Sequence, residues 1–187
     1  MKLQKTTLIL VLLAFGLGGF VYFYEIAGSS KREAAQAKQN QLFSFDRAEI
    51  KLLTIKTANE ELEFEQQKNK DGFSQWRMKA PTDTVANDAS ISFLLNLLVN
   101  GKSDRSFTVS PNRLQEYGLD KPLATVGIKL ANQKSYQLIL RKENFDKNFL
   151  YSQIKSGDNN AEIKIFLVSP DFQYAVKRPL SEWKQQP

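Results

Sequence analysis

The stretch ELEFEQQKNKDGFSQWRMKA, residues 61–80, reads as a strand, a turn and a second strand. Leu62 and Phe64 alternate with Glu61, Glu63 and Glu65 over residues 61–67. A period of two puts the apolar side chains on one face of a half-buried strand and the carboxylates on the other. Asn69, Lys70, Asp71 and Gly72 carry a turn signal. Residues 76–80 alternate again, with Trp76 and Met78 in one phase, and Pro81 ends the run. A further strand at residues 50–56 precedes them, so the spacing predicts a meander of three antiparallel strands.

A helix follows. Asn87 suits the N-cap, Asp88 the first turn and Gly101 the C′ position. Ile91, Leu94, Leu95 and Leu98 recur at i, i+3, i+4 and i+7 and form one apolar face. Phe93 and Leu97 point nearly opposite at about 100° per residue. A helix lying on a sheet needs one apolar face, so this second pair is covered by another layer of the domain or by a partner protein, and Phe93 and Leu97 are candidate partner contacts.

The second half carries two Ser-Pro helix starts, Ser110-Pro111 after residues 107–109 and Ser169-Pro170 after residues 167–168. Serine can cap, and proline at N1 loses no hydrogen bond. Leu114 and Tyr117 point inward from the first, Phe172 and Val176 from the second, and Pro179 ends it. Between them lie strands at Val126, Ile128 and Leu130, at Tyr136, Leu138 and Leu140, and near residues 149–154 and 162–168, with hairpins at Asn132-Gln133 and at residues 157–160. The fold class is α+β: one domain of mostly antiparallel sheet with about three covering helices.

Upstream, residues 6–24 are nineteen consecutive uncharged residues behind Lys2 and Lys5. As a helix they would cover about 28 Å, close to the roughly 30 Å core of a bilayer. The run ends in Phe20, Tyr22, Phe23 and Tyr24, aromatic residues suited to the membrane–water interface. A cleaved signal peptide is the alternative; its apolar region is shorter and ends in small residues. The expected organisation is a single transmembrane anchor with a short cytoplasmic end (1–27), a linker or stalk (28–41) and a soluble domain (42–187). A short basic N-terminus ahead of a first span stays in the cytoplasm, which places the domain outside, in the periplasm or its equivalent. Ala14 and Gly18 form a small-xxx-small pair that could pack against another span. If helical, the linker holds the domain about 20 Å from the bilayer, and if extended up to about 45 Å.

The net charge of +6 is divided evenly: residues 1–41 hold five Lys/Arg and two Asp/Glu, and residues 42–187 hold 21 and 18. The domain is only mildly basic and has no Lys/Arg run, so nucleic acid is not expected as a partner. The chain has no cysteine and no histidine. That removes disulfides, thiolate nucleophiles, Ser-His-Asp and Cys-His sets and most zinc sites. Glu61, Glu63 and Glu65 could hold a divalent cation, but strand alternation accounts for their spacing. Ser152 to Lys155 and Ser181 to Lys184 match Ser-x-x-Lys; with 14 Ser and 19 Lys in the chain, two matches are what chance supplies. The expectation is no enzymatic activity, no catalytic residue, no metal and no cofactor.

The most specific stretch is Glu116, Tyr117, Gly118, Leu119, Asp120, Lys121, Pro122, a helix stop followed by a turn into the next strand. Together with Trp76 to Pro81 before a Leu-rich helix, Tyr151 in a late strand and the closing Lys177, Arg178, Pro179, Leu180, it resembles the bacterial family labelled domain of unknown function 4340, over residues 42–184. The resemblance implies an accessory role beside ABC-type transport systems, including those associated with gliding motility. No catalytic residue is known for that family, so none carries over. The expected function is a membrane-anchored extracytoplasmic interaction module whose partners are the bilayer and a membrane protein complex such as an ABC transporter. The alternative is a module binding envelope glycans or lipids through exposed aromatics such as Trp76 and Tyr151.

Overall fold

A computed structural model describes residues 13–20, 22, 40–117, 121–156 and 163–186. The chain divides into two units, Met1–Asn40 and Gln41–Pro187. In the first, residues 13–20 are helical and expose Leu13, Phe15, Leu17 and Phe20, as well as Ala14 and Gly18. The rest of the predicted anchor, apart from Tyr22, and nearly all of the linker lie outside the described residues. Among the described residues no helix is long and apolar enough to cross a membrane.

The second unit is built on one nine-stranded sheet. In chain order its elements are β1 (Ile50–Thr57), β2 (Glu61–Lys68), β3 (Ser74–Ala80), β4 (Thr84–Val85), helix α1 (Asp88–Asn100), β5 (Ser106–Val109), β6 (Ala124–Leu130), β7 (Ser135–Glu143), β8 (Leu150–Ser156), β9 (Ile163–Val168) and helix α2 (Asp171–Val176). Three 3-10 segments, Arg47–Glu49, Pro111–Tyr117 and Leu180–Trp183, complete the path. The strand order is β4-β3-β2-β1-β6-β7-β8-β9-β5, and every pairing is antiparallel. The predicted meander is present as β1, β2 and β3. A second run, β6 to β9, lies beside it, and the two join where β1 pairs with β6.

Leu53, Ile55, Leu62, Phe64, Met78, Val126, Ile128, Leu138 and Leu140 are all buried on one side of the sheet. Ile91, Leu94, Leu95 and Leu98 of α1 and Phe172, Ala175 and Val176 of α2 close over them. Asn87 caps α1 as expected, its side chain accepting from the backbone N–H of Ala89 and Ser90. That cap contributes about 1 kcal/mol, whereas each large apolar side chain buried contributes about 1.5–3 kcal/mol. Packing on the sheet therefore holds α1, and the cap sets where it starts.

Two sequence expectations need correction. Gly101 is not a left-handed C′ residue; its backbone is extended, at φ −62° and ψ 134°. The glycine serves close approach instead, because a Cβ there would collide with the Leu97 carbonyl oxygen. The three covering helices are two α-helices and a 3-10 segment. Pro111–Tyr117 is the 3-10 one, and it packs with Phe107, Val109 and Ile165 in a separate small cluster. Along β9, Val168 belongs to the main core and Ile165 to this second cluster, an odd separation that puts the two on opposite faces of the strand. The segment thus lies on the face that α1 and α2 leave bare.

The C-terminal tail closes the structure. Trp183 is fully buried, with its ring centroid 5.1 Å from that of Phe64. The tail is then tied to the start of α1 and to β4. Asn87 N donates to the Trp183 carbonyl (2.8 Å), Ser90 Oγ to the Glu182 carbonyl (2.7 Å) and Gln185 N to the Val85 carbonyl (3.0 Å). Trp183 Nε1 is buried without a hydrogen-bond partner among the described residues. Trp183→Ala should lower unfolding free energy in urea by about 3–5 kcal/mol. Trp183→Phe keeps an apolar ring and removes the orphaned N–H, so it should cost much less. Equal losses for the two would contradict this packing role.

Candidate functional site

The face of the sheet opposite α1 and α2 has two halves. Over β1, β2 and β3 it is charged. Glu61, Glu63 and Glu65 stand opposite Lys56, Thr54 and Leu52 of β1, and Glu65 also faces Arg77 of β3. Lys56 pairs with Glu61 at 3.1 Å, and Gln67 donates to Glu65 at 2.7 Å. The glutamate row is a solvated strand face stitched to its neighbours. Among the described residues no group of three acidic side chains is placed to hold a metal ion.

At the turn after β3, Asp83 accepts from two cations, Lys79 at 2.6 Å and Arg77 at 2.7 Å. Hydrogen bonds from Lys79 first and Arg77 second hold its carboxyl below its ordinary range. A groove of about 500 Å³ beside this trio is lined by Lys68, Lys70, Arg77 and Lys79 together with Asp71 and Asp83. A second, polar groove of about 490 Å³ lies between β3 and the C-terminal tail. It passes Trp76, which is only 6% exposed and packs into the main core. Trp76 is therefore a core residue and offers no stacking platform.

Over β5, β9 and β8 the same face is aromatic. Phe107, Tyr117 and Tyr151 form a ring trio with centroid separations of 5.3, 5.5 and 6.5 Å. β5 places Phe107, β8 places Tyr151, and the 3-10 segment Pro111–Tyr117 lays Tyr117 across them. All three are half-buried. Edge-to-face contacts of this kind contribute about 0.5–1.5 kcal/mol each beyond area burial. The sequence supplied Tyr117 and Tyr151 separately; Phe107 was missed as their companion, and the only signal for it was its place in the strand before Ser110-Pro111. Of the predicted turn motif, Tyr117 ends the 3-10 segment and Pro122 is exposed ahead of β6, while Gly118, Leu119 and Asp120 lie outside the described residues.

Phe93 and Leu97 on α1 are half-buried and pack against the main core. Arg178, beyond α2, lays its guanidinium 5.2 Å from the Phe93 ring centroid and pairs with Glu182 at 3.0 Å. The domain's own C-terminal segment therefore supplies part of the cover that the sequence left open. Neither Ser-x-x-Lys match forms a dyad. Ser152 is buried and donates to the Phe166 carbonyl, while Lys155 is exposed on the opposite side of β8. Ser181 lies within the 3-10 segment Leu180–Trp183 and Lys184 follows it, without a hydrogen bond between them.

The lowered Asp83 pKa gives a pH signature. A carboxylate with a depressed folded-state pKa contributes stability above its unfolded value, and the contribution is lost as pH falls through the folded value. Asp83→Asn should lower the melting temperature slightly at neutral pH. The two proteins should converge only below pH 3.8, the ordinary value. A difference that titrates away near pH 6 would contradict the assignment. No protein-family model, curated protein or solved structure matches this chain.

Proposed function

We propose that the protein is a membrane-anchored extracytoplasmic module, without enzymatic activity, that works by binding a protein partner in a membrane transport complex of ABC type. The observation that carries this reading is the uncharged run at residues 6–24 immediately upstream of a polar, folded unit. Such a run is long enough to span a bilayer as a helix. The exposed Leu13, Phe15, Leu17 and Phe20 on helical residues 13–20 support it, since an apolar surface all round a helix belongs in lipid or in a protein core. The absence of histidine and cysteine from the chain narrows the available chemistry. The transport assignment rests on the family resemblance of residues 116–122 and the motifs around it.

A second reading, binding of an envelope glycan or lipid, is favoured by the half-buried trio Phe107, Tyr117 and Tyr151. With Trp76 in the core, that trio is its remaining platform. The two readings separate by experiment. Mild cross-linking in intact membranes, followed by solubilisation, should recover the full chain with an integral membrane protein under the first reading. Recovery of the chain alone as a monomer contradicts it. Loss of glycan or lipid retention in Tyr151→Ala, with partner capture unchanged, would instead support the second.

A further inference from the structure

The strand register sorts the surface of the second unit into two ends. The chain enters the sheet at Ile50, and Ile50 pairs with Leu130. Lys68 pairs with Ser74 next to the β2–β3 hairpin tip, and Lys129 pairs with Ser135 next to the β6–β7 tip. Entry point and both tips therefore lie at the same end. This end carries Lys51, Lys68, Lys70, Lys129 and Lys134, all exposed. None of the five is in an ion pair among the described residues. At the other end Lys56 pairs with Glu61, and Lys121, Lys142 and Lys147 are exposed without an ion pair among the described residues.

The β2–β3 tip also projects a large apolar side chain. Phe73 is 71% exposed. It sits on a tight turn in which Asn69 Oδ1 accepts from Asp71 N and Phe73 N, and Gly72 adopts φ +84°. The tip is thus ordered by its own hydrogen bonds and does not tuck the ring inward. Beside it runs the groove lined by Lys68, Lys70 and Asp71, and farther along by Arg77 and Lys79, which Asp83 pairs.

We infer that this end of the sheet docks on an anionic bilayer surface, with Phe73 inserted at the headgroup level and Lys68 and Lys70 on lipid phosphates. An aromatic ring beside unpaired lysines is the combination that binds such surfaces, the ring by burial and the lysines by attraction to anionic headgroups. The described acidic groups at this end are Asp71 on the tip itself and Asp46 and Glu49 just ahead of Ile50. The inference rests on the anchored reading only for the proximity of a bilayer; the charge placement and the exposure of Phe73 stand independently of it.

The test uses the full chain carrying Phe73→Trp, reconstituted into vesicles of phosphatidylcholine with or without phosphatidylglycerol and with brominated acyl chains. The native tryptophans supply a fixed background, because Trp76 and Trp183 are buried. Emission of the F73W chain should be quenched in the anionic vesicles. It should recover in high salt and show little quenching in neutral ones. Adding Lys68→Gln and Lys70→Gln should weaken the interaction about fivefold for each lysine. Emission indifferent to bromination in anionic vesicles overturns the proposal, as does equal quenching with neutral lipid. Capture of a protein, or of a second copy of the chain, by a photoreactive group at position 73 would assign the tip to a protein contact and also overturn it. Alkaline extraction of the vesicles reports on the anchor separately. A chain that washes off is assayed by the same quenching with vesicles added back, so failure of anchoring and failure of docking give different results.

Discussion

The structure depends on the pairing of β1 with β6. Seven register pairs, from Ile50 with Leu130 to Thr57 with Ala124, join two meanders that are each continuous in sequence. The strands come from opposite sides of α1 and the 3-10 segment, so closing this seam costs more loop entropy than any hairpin of the sheet. It also removes the edge that each meander would otherwise expose. Its geometry is selective: Thr54 sits opposite Gly127, and any Cβ at Gly127 would collide with the Thr54 hydroxyl. Leu53 and Ile55 meet Ile128 and Val126 across it and are buried under α1 and α2. A shift of β1 by one residue would turn Leu53 and Ile55 toward solvent.

One-sided burial follows from that seam. Both helices pack on a single face, so the other face must be made tolerable to water or covered by something small. Over β1, β2 and β3 it is charged and cross-linked by ion pairs. Over β5, β9 and β8 it is covered by seven residues of 3-10 structure carrying Leu114 and Tyr117. Trp183 closes the main core from the C-terminus, which explains why the last residues of the unit contact the first turn of α1. The half-buried Phe93 and Leu97 belong to the same margin, where Arg178 shields the ring that α1 does not turn inward.

Local chemistry made much of this legible in the sequence. Alternation at Leu62 and Phe64, the Asn87 cap and the Asn132-Gln133 hairpin are decided within a few residues of themselves, and they fold as their patterns indicate. Non-local features were not legible. β4 is two residues long and exists because β3 offers an edge. Trp183 carries no periodic signal, and its burial is set by Phe64, far away in sequence. Gly101 looked like a C′ glycine because helix ends favour one, but contact with Leu97 rather than a left-handed φ sets its role. The aromatic trio was half visible: Tyr117 and Tyr151 stood out singly, and only the antiparallel pairing of β5 with β9 brings Phe107 beside them. The candidate surfaces were harder to read than the fold because they arise where separate strands end together.

The proposed reading, an anchored domain that works outside the cytoplasm, draws on the apolar run, the absence of histidine and cysteine, and a fold whose distinctive surfaces are charged ends and an aromatic patch. The chain has no native cysteine, which makes its placement directly measurable. A single cysteine introduced by Asn59→Cys in the exposed β1–β2 turn can be labelled with a membrane-impermeant maleimide in cells whose inner membrane is intact. The account predicts full labelling without permeabilising that membrane. Labelling only after permeabilisation would put the domain in the cytoplasm and contradict it.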